Sequence, residues 1–208
     1  MKATKCLSWA AGWMLLATAP VCHAAPQEPE SQNRDQVRAA IEAEDYPKAI
    51  AILKPAAAAG DVRSQFLLGV AYYQGAGTAK DMDQAANWFE RAATGGDKDA
   101  QHILGTMYLD GITYPRNENV AAELLEKSAL KGVAEAQYIL GLLLTPLPVQ
   151  DEQNSIFSNL SSLPKDPVAS ARWHRMAADQ GHADAQFSLA LAYEHGSGVA
   201  KSMVEAIN

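Results

Sequence analysis

Two tetrapeptides carry a serine three residues ahead of a lysine: Ser128-Ala129-Leu130-Lys131 and Ser162-Leu163-Pro164-Lys165. On a helix this spacing sets both side chains on one face, where the amine can take the proton of a nucleophilic hydroxyl and start acyl transfer, as in enzymes that open β-lactams. The companion Ser-Asp-Asn and Lys-Thr-Gly motifs of that chemistry are absent from the sequence. Four of the five histidines, His102, His174, His182 and His195, lie within the repeats and offer general-base or metal chemistry. None stands four residues from another with a glutamate between, as a zinc hydrolase needs. No glycine-rich phosphate loop or calcium loop occurs either. These residues point to a binding protein without a catalytic, metal or cofactor site.

What must position them is a repeat. Gly60-Asp61-Val62-Arg63-Ser64-Gln65 recurs as Gly96-Asp97-Lys98-Asp99-Ala100-Gln101 and as Gly132-Val133-Ala134-Glu135-Ala136-Gln137, a step of 36 residues each time. A fourth copy, Gly181-His182-Ala183-Asp184-Ala185-Gln186, follows after 49 residues, so the third repeat carries 13 extra. Periods of this length are the mark of stacked supersecondary units. Each copy reads as two helices. Gly75, Gly111 and Gly196 stop the first, and Gly60, Gly96, Gly132 and Gly181 stop the second, because glycine tolerates the left-handed conformation that closes a helix. Asp45, Asp81, Asn117, Asp166 and Ser202 share one register position, and each has a side-chain oxygen able to cap the second helix. Two helices of about 13 residues fill the period with short turns. The fold class is therefore all-α.

Along the first helix Ser64, Leu68 and Tyr72 form a stripe, repeated as Ala100, Leu104 and Tyr108 and as Ala185, Leu189 and Tyr193. In the second helix Ala85, Trp88 and Ala92 form the answering stripe, small alanines admitting close approach while the large ring fills the space. Ser128 takes the Ala92 position in this register, which makes it a core residue, whereas Ser162 falls in the extra segment. An earlier second helix runs from Asp45 to Gly60, partnered by residues 35–44.

Ala100-Gln101, Leu104-Gly105, Tyr108, Gly111, with Asp81, Ala85, Trp88, Ala92-Ala93 and Gly96, resemble the Sel-1-like repeat, a relative of the tetratricopeptide repeat. The resemblance covers nearly all of residues 35–208. It implies a right-handed α-solenoid of stacked antiparallel helix pairs, with the first helices on the concave wall, acting as an adaptor among proteins. Three departures stand out: Leu124 replaces the tryptophan of Trp88 and Trp173, Leu144 replaces the tyrosine, and the third repeat lacks its glycine after the first helix. Some cysteine-rich relatives are associated with penicillin binding, but both cysteines here, Cys6 and Cys22, lie in the leader described below.

Three surfaces are candidates for a partner. Phe66, Val70 and Tyr73, then His102, Thr106 and Leu109, then Tyr138 and Leu142, then Phe187 and Leu191 follow one line on successive first helices. By the resemblance this line faces the concave groove, where aromatics anchor a peptide or helix; the alternative is that it packs between neighbouring first helices. The insertion at 145–165 carries Ile156, Phe157 and Leu160 among prolines and polar residues, and long loops in compact repeats are often functional. The fourth repeat has only six residues beyond Ser202, so either the chain is shortened there or its edge is covered by a partner or a second copy.

Lys2 and Lys5 precede an apolar run from Cys6 to Ala19, then Pro20-Val21-Cys22-His23-Ala24. This is the pattern of a secretory signal peptide, with cleavage expected after Ala24, and the run is too short to cross a bilayer. A lipoprotein reading would need a small residue before Cys22, where Val21 stands. Residues 25–34, rich in proline, glutamine and glutamate, read as an unordered tether. Residues 35–60, 61–96, 97–132, 133–181 and 182–208 then form one solenoid domain with one continuous core. Without Lys2 and Lys5, 15 basic residues face 24 acidic ones and the formal charge moves from −7 to −9. An acidic surface disfavours nucleic acid and anionic membrane. The expectation is a periplasmic or secreted scaffold that binds another protein. An immunity protein that neutralises a secreted effector is one alternative, and a binder or hydrolase of wall-derived small molecules such as β-lactams is the other.

Overall fold

The computed structural model describes residues 29–146 and 163–207, and all of its regular structure is helical. Helix α1 (Pro29–Glu42) packs on α2 (Tyr46–Ala58). The pairs α3 (Val62–Gln74) with α4 (Met82–Thr94), α5 (Lys98–Asp110) with α6 (Glu118–Leu130), and α7 (Ala134–Leu144) with α8 (Pro167–Ala178) follow. Finally α9 (Ala183–His195) meets the short α10 (Met203–Ile207). Each helix packs on the next in the chain, so the molecule is the stack of antiparallel pairs expected of its period.

Local chemistry sets the boundaries. The side chains of Asp45, Asp81, Asn117, Asp166 and Ser202 all accept a backbone N–H in the first turn of the helix they precede, at 3.0 to 3.3 Å. The first helices are capped too, by Asp61, Asp97 and, through its ring Nδ1, His182. Only α7, entered through Val133, lacks a side-chain cap among α2 to α9. Gly75, Gly111 and Gly196 close the first helices in the left-handed conformation, at φ between 71° and 76°.

The core has a simple rule. Gly69, Gly105 and Gly141 are the seats on which one large side chain of the paired second helix rests: Phe89, Leu125 and His174. A methyl group on Gly69 would lie 2.8 Å from the Phe89 ring, and one on Gly105 2.9 Å from Leu125 Cγ. The ring that fills α4's core face is thus Phe89, fully buried, and not Trp88, which is half-buried one residue round the helix. Ala85 and Ala92 are buried as the stripe requires.

A second rule ties repeats together. The side-chain N–H of Gln65 donates to the carbonyl of Ala57, Gln101 to Ala93, and Gln137 to Ala129, at 2.9 to 3.1 Å. Each buried amide thus adds a second bond to a carbonyl at the C-terminal end of the preceding second helix, which also accepts the N–H of the glycine that follows it. On the far side, Gln101 Oε1 accepts from Lys131 and Gln137 Oε1 from Gln180.

The insertion leaves this frame intact. The N–H of Asp81 donates to the carbonyl of Tyr72, Asn117 to Tyr108 and Ser202 to Tyr193; Asp166 donates to Leu144 at 3.0 Å in the same way. Where the other first helices end in glycine, α7 is closed by Thr145 Oγ bonding the Gly141 carbonyl and by Lys165 Nζ bonding that of Leu143. Leu163 returns to pack on the core beside Trp173. Ile156, Phe157, Leu160 and Ser162 lie outside the described residues, as do residues 1–28, which include the stretch expected to be a signal peptide.

One expectation needs correction. Helix α1 begins at Pro29, inside the stretch 25–34 read as an unordered tether. Val37 and Ala40 are buried against α2, and proline suits the first helical turn, so the docked half of the helix carries its polar half with it.

Candidate functional site

The first helices present three adjacent lines of candidate residues, and burial separates them. In the line Phe66, His102, Tyr138, Phe187, the first is buried, the next two are half-buried, and Phe187 is 66% exposed. Phe66 leans on Phe89 with centroids 5.9 Å apart and carries the Arg63 guanidinium 4.8 Å above its ring. Arg63 in turn reaches Asp97 and Asp99 at the start of α5, so the next repeat closes over Phe66. Tyr138 stacks on His182 at 4.7 Å and tilts against His174 at 5.9 Å, while His182 Nε2 meets Glu135 at 2.8 Å. This line packs largely between neighbouring first helices.

The other two lines are exposed only in part. Tyr73 is 44% exposed, Leu142 37% and Leu191 39%. Val70, Thr106 and Leu109 are half-buried between them. Tyr73 sits edge-on to Phe89 at 6.4 Å, with the Lys80 ammonium 5.5 Å from its ring centre. Tyr73, Leu142, Leu191 and Phe187 are thus the exposed members of the candidate lines among the described residues, and the others are buried or half-buried. On the last repeat Met203, Val204 and Ile207 of α10 are exposed as well.

Charge on this wall is governed by burial. His102 is held below its usual range, burial outweighing the attraction of Glu135 and Asp99, and its Nε2 is buried without a hydrogen-bond partner. The Tyr138 hydroxyl is pushed up, first by burial and then by Asp184 and Glu135. His174, which the sequence offered only as one histidine among four, is 3% exposed and falls to about 4. Its signal was legible only in the register, where it stands opposite a glycine in place of Phe89 and Leu125.

The serine-lysine pair is committed elsewhere. Ser128 is wholly buried and its hydroxyl donates to the carbonyl of Lys98 at 2.7 Å. Lys131 Nζ donates to the Gly96 carbonyl at 2.6 Å and to Gln101 Oε1. Lys165 is held below its usual range by burial, against the pull of Glu118. Among the described residues no group of three or more histidine, cysteine, aspartate or glutamate side chains is placed to hold a metal ion. No described helix is long and apolar enough to cross a membrane.

The family model described as Sel1 repeat matches residues 39–61, 62–97, 98–133, 156–182 and 183–208. Among solved structures, the chain is similar to a protective antigen of uropathogenic Escherichia coli with an SLR fold, at 34% identity and a TM-score of 0.64 over 76% of this chain and 31% of that one. It is similar to a Sel1 repeat protein from Oxalobacter formigenes at 26% identity and a TM-score of 0.70, over 82% of this chain and 65% of the other. An immunity protein from Pseudomonas aeruginosa aligns at 21% identity and a TM-score of 0.49, over 89% and 65%. The chain spans less than two thirds of the length of each. No curated protein sequence matches it.

Proposed function

From the premise that the chain belongs to the Sel1 repeat family, whose members are generally protein-interaction scaffolds, we propose that it is a scaffold of the bacterial cell envelope that docks another protein along its first helices. The observation that carries this reading is the set Tyr73, Leu142, Leu191 and Phe187, large side chains left in solvent on the first helices, of which Leu142 and Leu191 share one register position. Such side chains are costly to expose unless something covers them. The leader pattern in residues 1–24 supports an envelope location. Reaction with β-lactams through Ser128 is disfavoured, because its hydroxyl is buried and bonded to a carbonyl. Stacking of a second copy on the exposed faces of α9 and α10 is a further mode the same apolar surface favours.

The test is recovery of the tagged chain, begun at Ala25, from the envelope fraction of its host after crosslinking, with identification of what accompanies it. A stoichiometric companion lost in the variant Tyr73→Ala with Leu142→Ala is the expected result. A companion retained by that variant would overturn the groove, and no companion at all would overturn the scaffold.

A further inference from the structure

One register position on the second helices is filled by an indole in two repeats and by a shorter side chain in the repeat between them. Trp88 packs, with Tyr72, against the buried cluster of Ile50, Ala57, Leu68 and Ala71, which joins α2 to α3. The Arg91 guanidinium lies 4.7 Å above its ring. Trp173 packs, with Leu144, against the corresponding cluster that holds Ala129 and Leu140, two repeats on. Between α4 and α6 the residue in that position is Leu124, and there a cleft of ≈ 630 Å³ opens.

The lining of this cleft is the bed of a tryptophan without the tryptophan. Ala93, Leu104 and Tyr108 form its floor and are the register mates of Ala57, Leu68 and Tyr72. Lys127 borders it and is the register mate of Arg91, the cation that covers Trp88. Tyr108 is stacked on Tyr114 at 4.7 Å, which holds the floor in place. Glu123 stands on the rim as an acceptor for an indole N–H, a group that can only donate.

We propose that this cleft takes a tryptophan side chain presented by a partner protein, the ring entering the register site that Trp88 and Trp173 fill in the repeats on either side. A second copy of this chain is a poor source. Of its four tryptophans, Trp88 and Trp173 are already packed and Trp9 and Trp13 lie in the leader. The walls of the cleft are mixed, with Glu90, Thr94 and Gln101 beside the apolar floor, which suits an indole, and a tryptophan held under a cation is the kind of anchor that dominates protein interfaces. The cleft lies between second helices, so this site is independent of the strip on the first helices.

The experiment uses the full chain from Ala25, methyl-labelled for NMR, titrated with an acetylated and amidated Gly-Gly-Trp-Gly-Gly peptide, its alanine counterpart and free tryptophan. The tryptophan peptide is expected to shift the methyl signals of Leu104 and Leu124 saturably, and the alanine peptide not to. Leu124→Trp, which places the chain's own ring in the slot, is expected to keep the fold and weaken binding at least about tenfold. Lys127→Ala, an exposed change with no burden on folding, is expected to weaken it about two- to fivefold, the size of a solvent-exposed cation–π contact. No saturable shift with the tryptophan peptide, or undiminished binding by Leu124→Trp, would overturn the site. Tighter binding of free tryptophan than of the capped peptide would overturn the protein partner in favour of a small molecule.

Discussion

The ring of His174 lies against the backbone of Gly141 so closely that a methyl group there would collide with it, in the place that Phe89 and Leu125 occupy against Gly69 and Gly105. A titratable group has entered a series of apolar ones. Its Nε2 is buried without a hydrogen-bond partner, so the neutral ring is the form the core accepts.

Stability should therefore fall as solutions become mildly acidic. Burial lowers His174 to about 4, with His182 adding to the effect and a hydrogen bond with the Tyr138 backbone opposing it. The unfolded chain binds this proton near pH 6.5 and the folded chain only near 4. The contribution is thus fully present above about pH 6.5 and is lost as pH falls towards 4, by up to about 3 kcal/mol. His102 is lowered as well and pulls in the same direction. Urea unfolding at pH 7 and pH 5 should show the drop, and His174→Leu, which restores the register residue of Leu125, should remove most of it. An unchanged pH dependence in that variant would sink the assignment to His174.

The glutamines that join repeats should differ in weight. Gln137 is buried and donates to the Ala129 carbonyl at 2.9 Å, whereas Gln186, in the same register, is exposed and 3.4 Å from Ala178. Gln137→Leu removes two hydrogen bonds, to the Ala129 carbonyl and from the Gln180 amide, each worth about 0.5–1.5 kcal/mol, and is expected to cost about 1–3 kcal/mol. Gln186→Leu should stay within about 0.5 kcal/mol of the parent. Chemical denaturation of the two variants decides this, and equal effects would contradict the role given to the buried amide.

These two results also mark what the sequence shows and what it hides. Caps, helix-stopping glycines and the 36-residue period depend on neighbours within a few positions, and Asp45, Asp81, Asn117, Asp166 and Ser202 all cap as their chemistry requires. Which residue faces the paired helix is a matter of a single step round α4. Trp88 and its neighbour Phe89 are both aromatic, and only the proximity of Gly69 makes Phe89 the core residue. Exposure of a register line depends on what stacks over it. Phe66 and Phe187 share one position, yet the first is buried under Arg63 and the next repeat while the second is open. The start of α1 within the supposed tether is likewise set by Val37 and Ala40 docking on α2 and not by the composition of the preceding residues.

The glycine seats make a prediction whose sign reverses with context. Gly69→Ala would normally help a helix by about 1 kcal/mol, but its methyl group would meet the Phe89 ring at 2.8 Å. That ring is held between Phe66 and Tyr73 and has no room to retreat. A net loss of about 1–2 kcal/mol is expected, overpacking exceeding the gain in propensity. In the Phe89→Ala background, itself destabilised by about 3–5 kcal/mol, the same Gly69→Ala change should stabilise. A double-mutant cycle measured in urea shows the coupling directly, and additive effects would mean the two residues are not in contact.

The insertion should be removable without loss of the fold. The bonds that close its base, Asp166 to Leu144, Lys165 to Leu143 and Thr145 to Ser170, involve only its two end residues and those flanking it. Deleting residues 149–161 takes out the 13 residues by which the third repeat exceeds the others and leaves those bonds and Leu163 in place. Shortening a connection by this much changes closure entropy by less than about 1 kcal/mol, so Tm should move by no more than about 4 °C. The helical circular dichroism should be unchanged. If the deletion instead abolishes cooperative unfolding, the excised segment supplies packing to α7 and α8 that the base bonds do not. If it leaves the fold unchanged but removes the companion protein recovered with the full chain, the insertion and not the first-helix strip is where that partner docks.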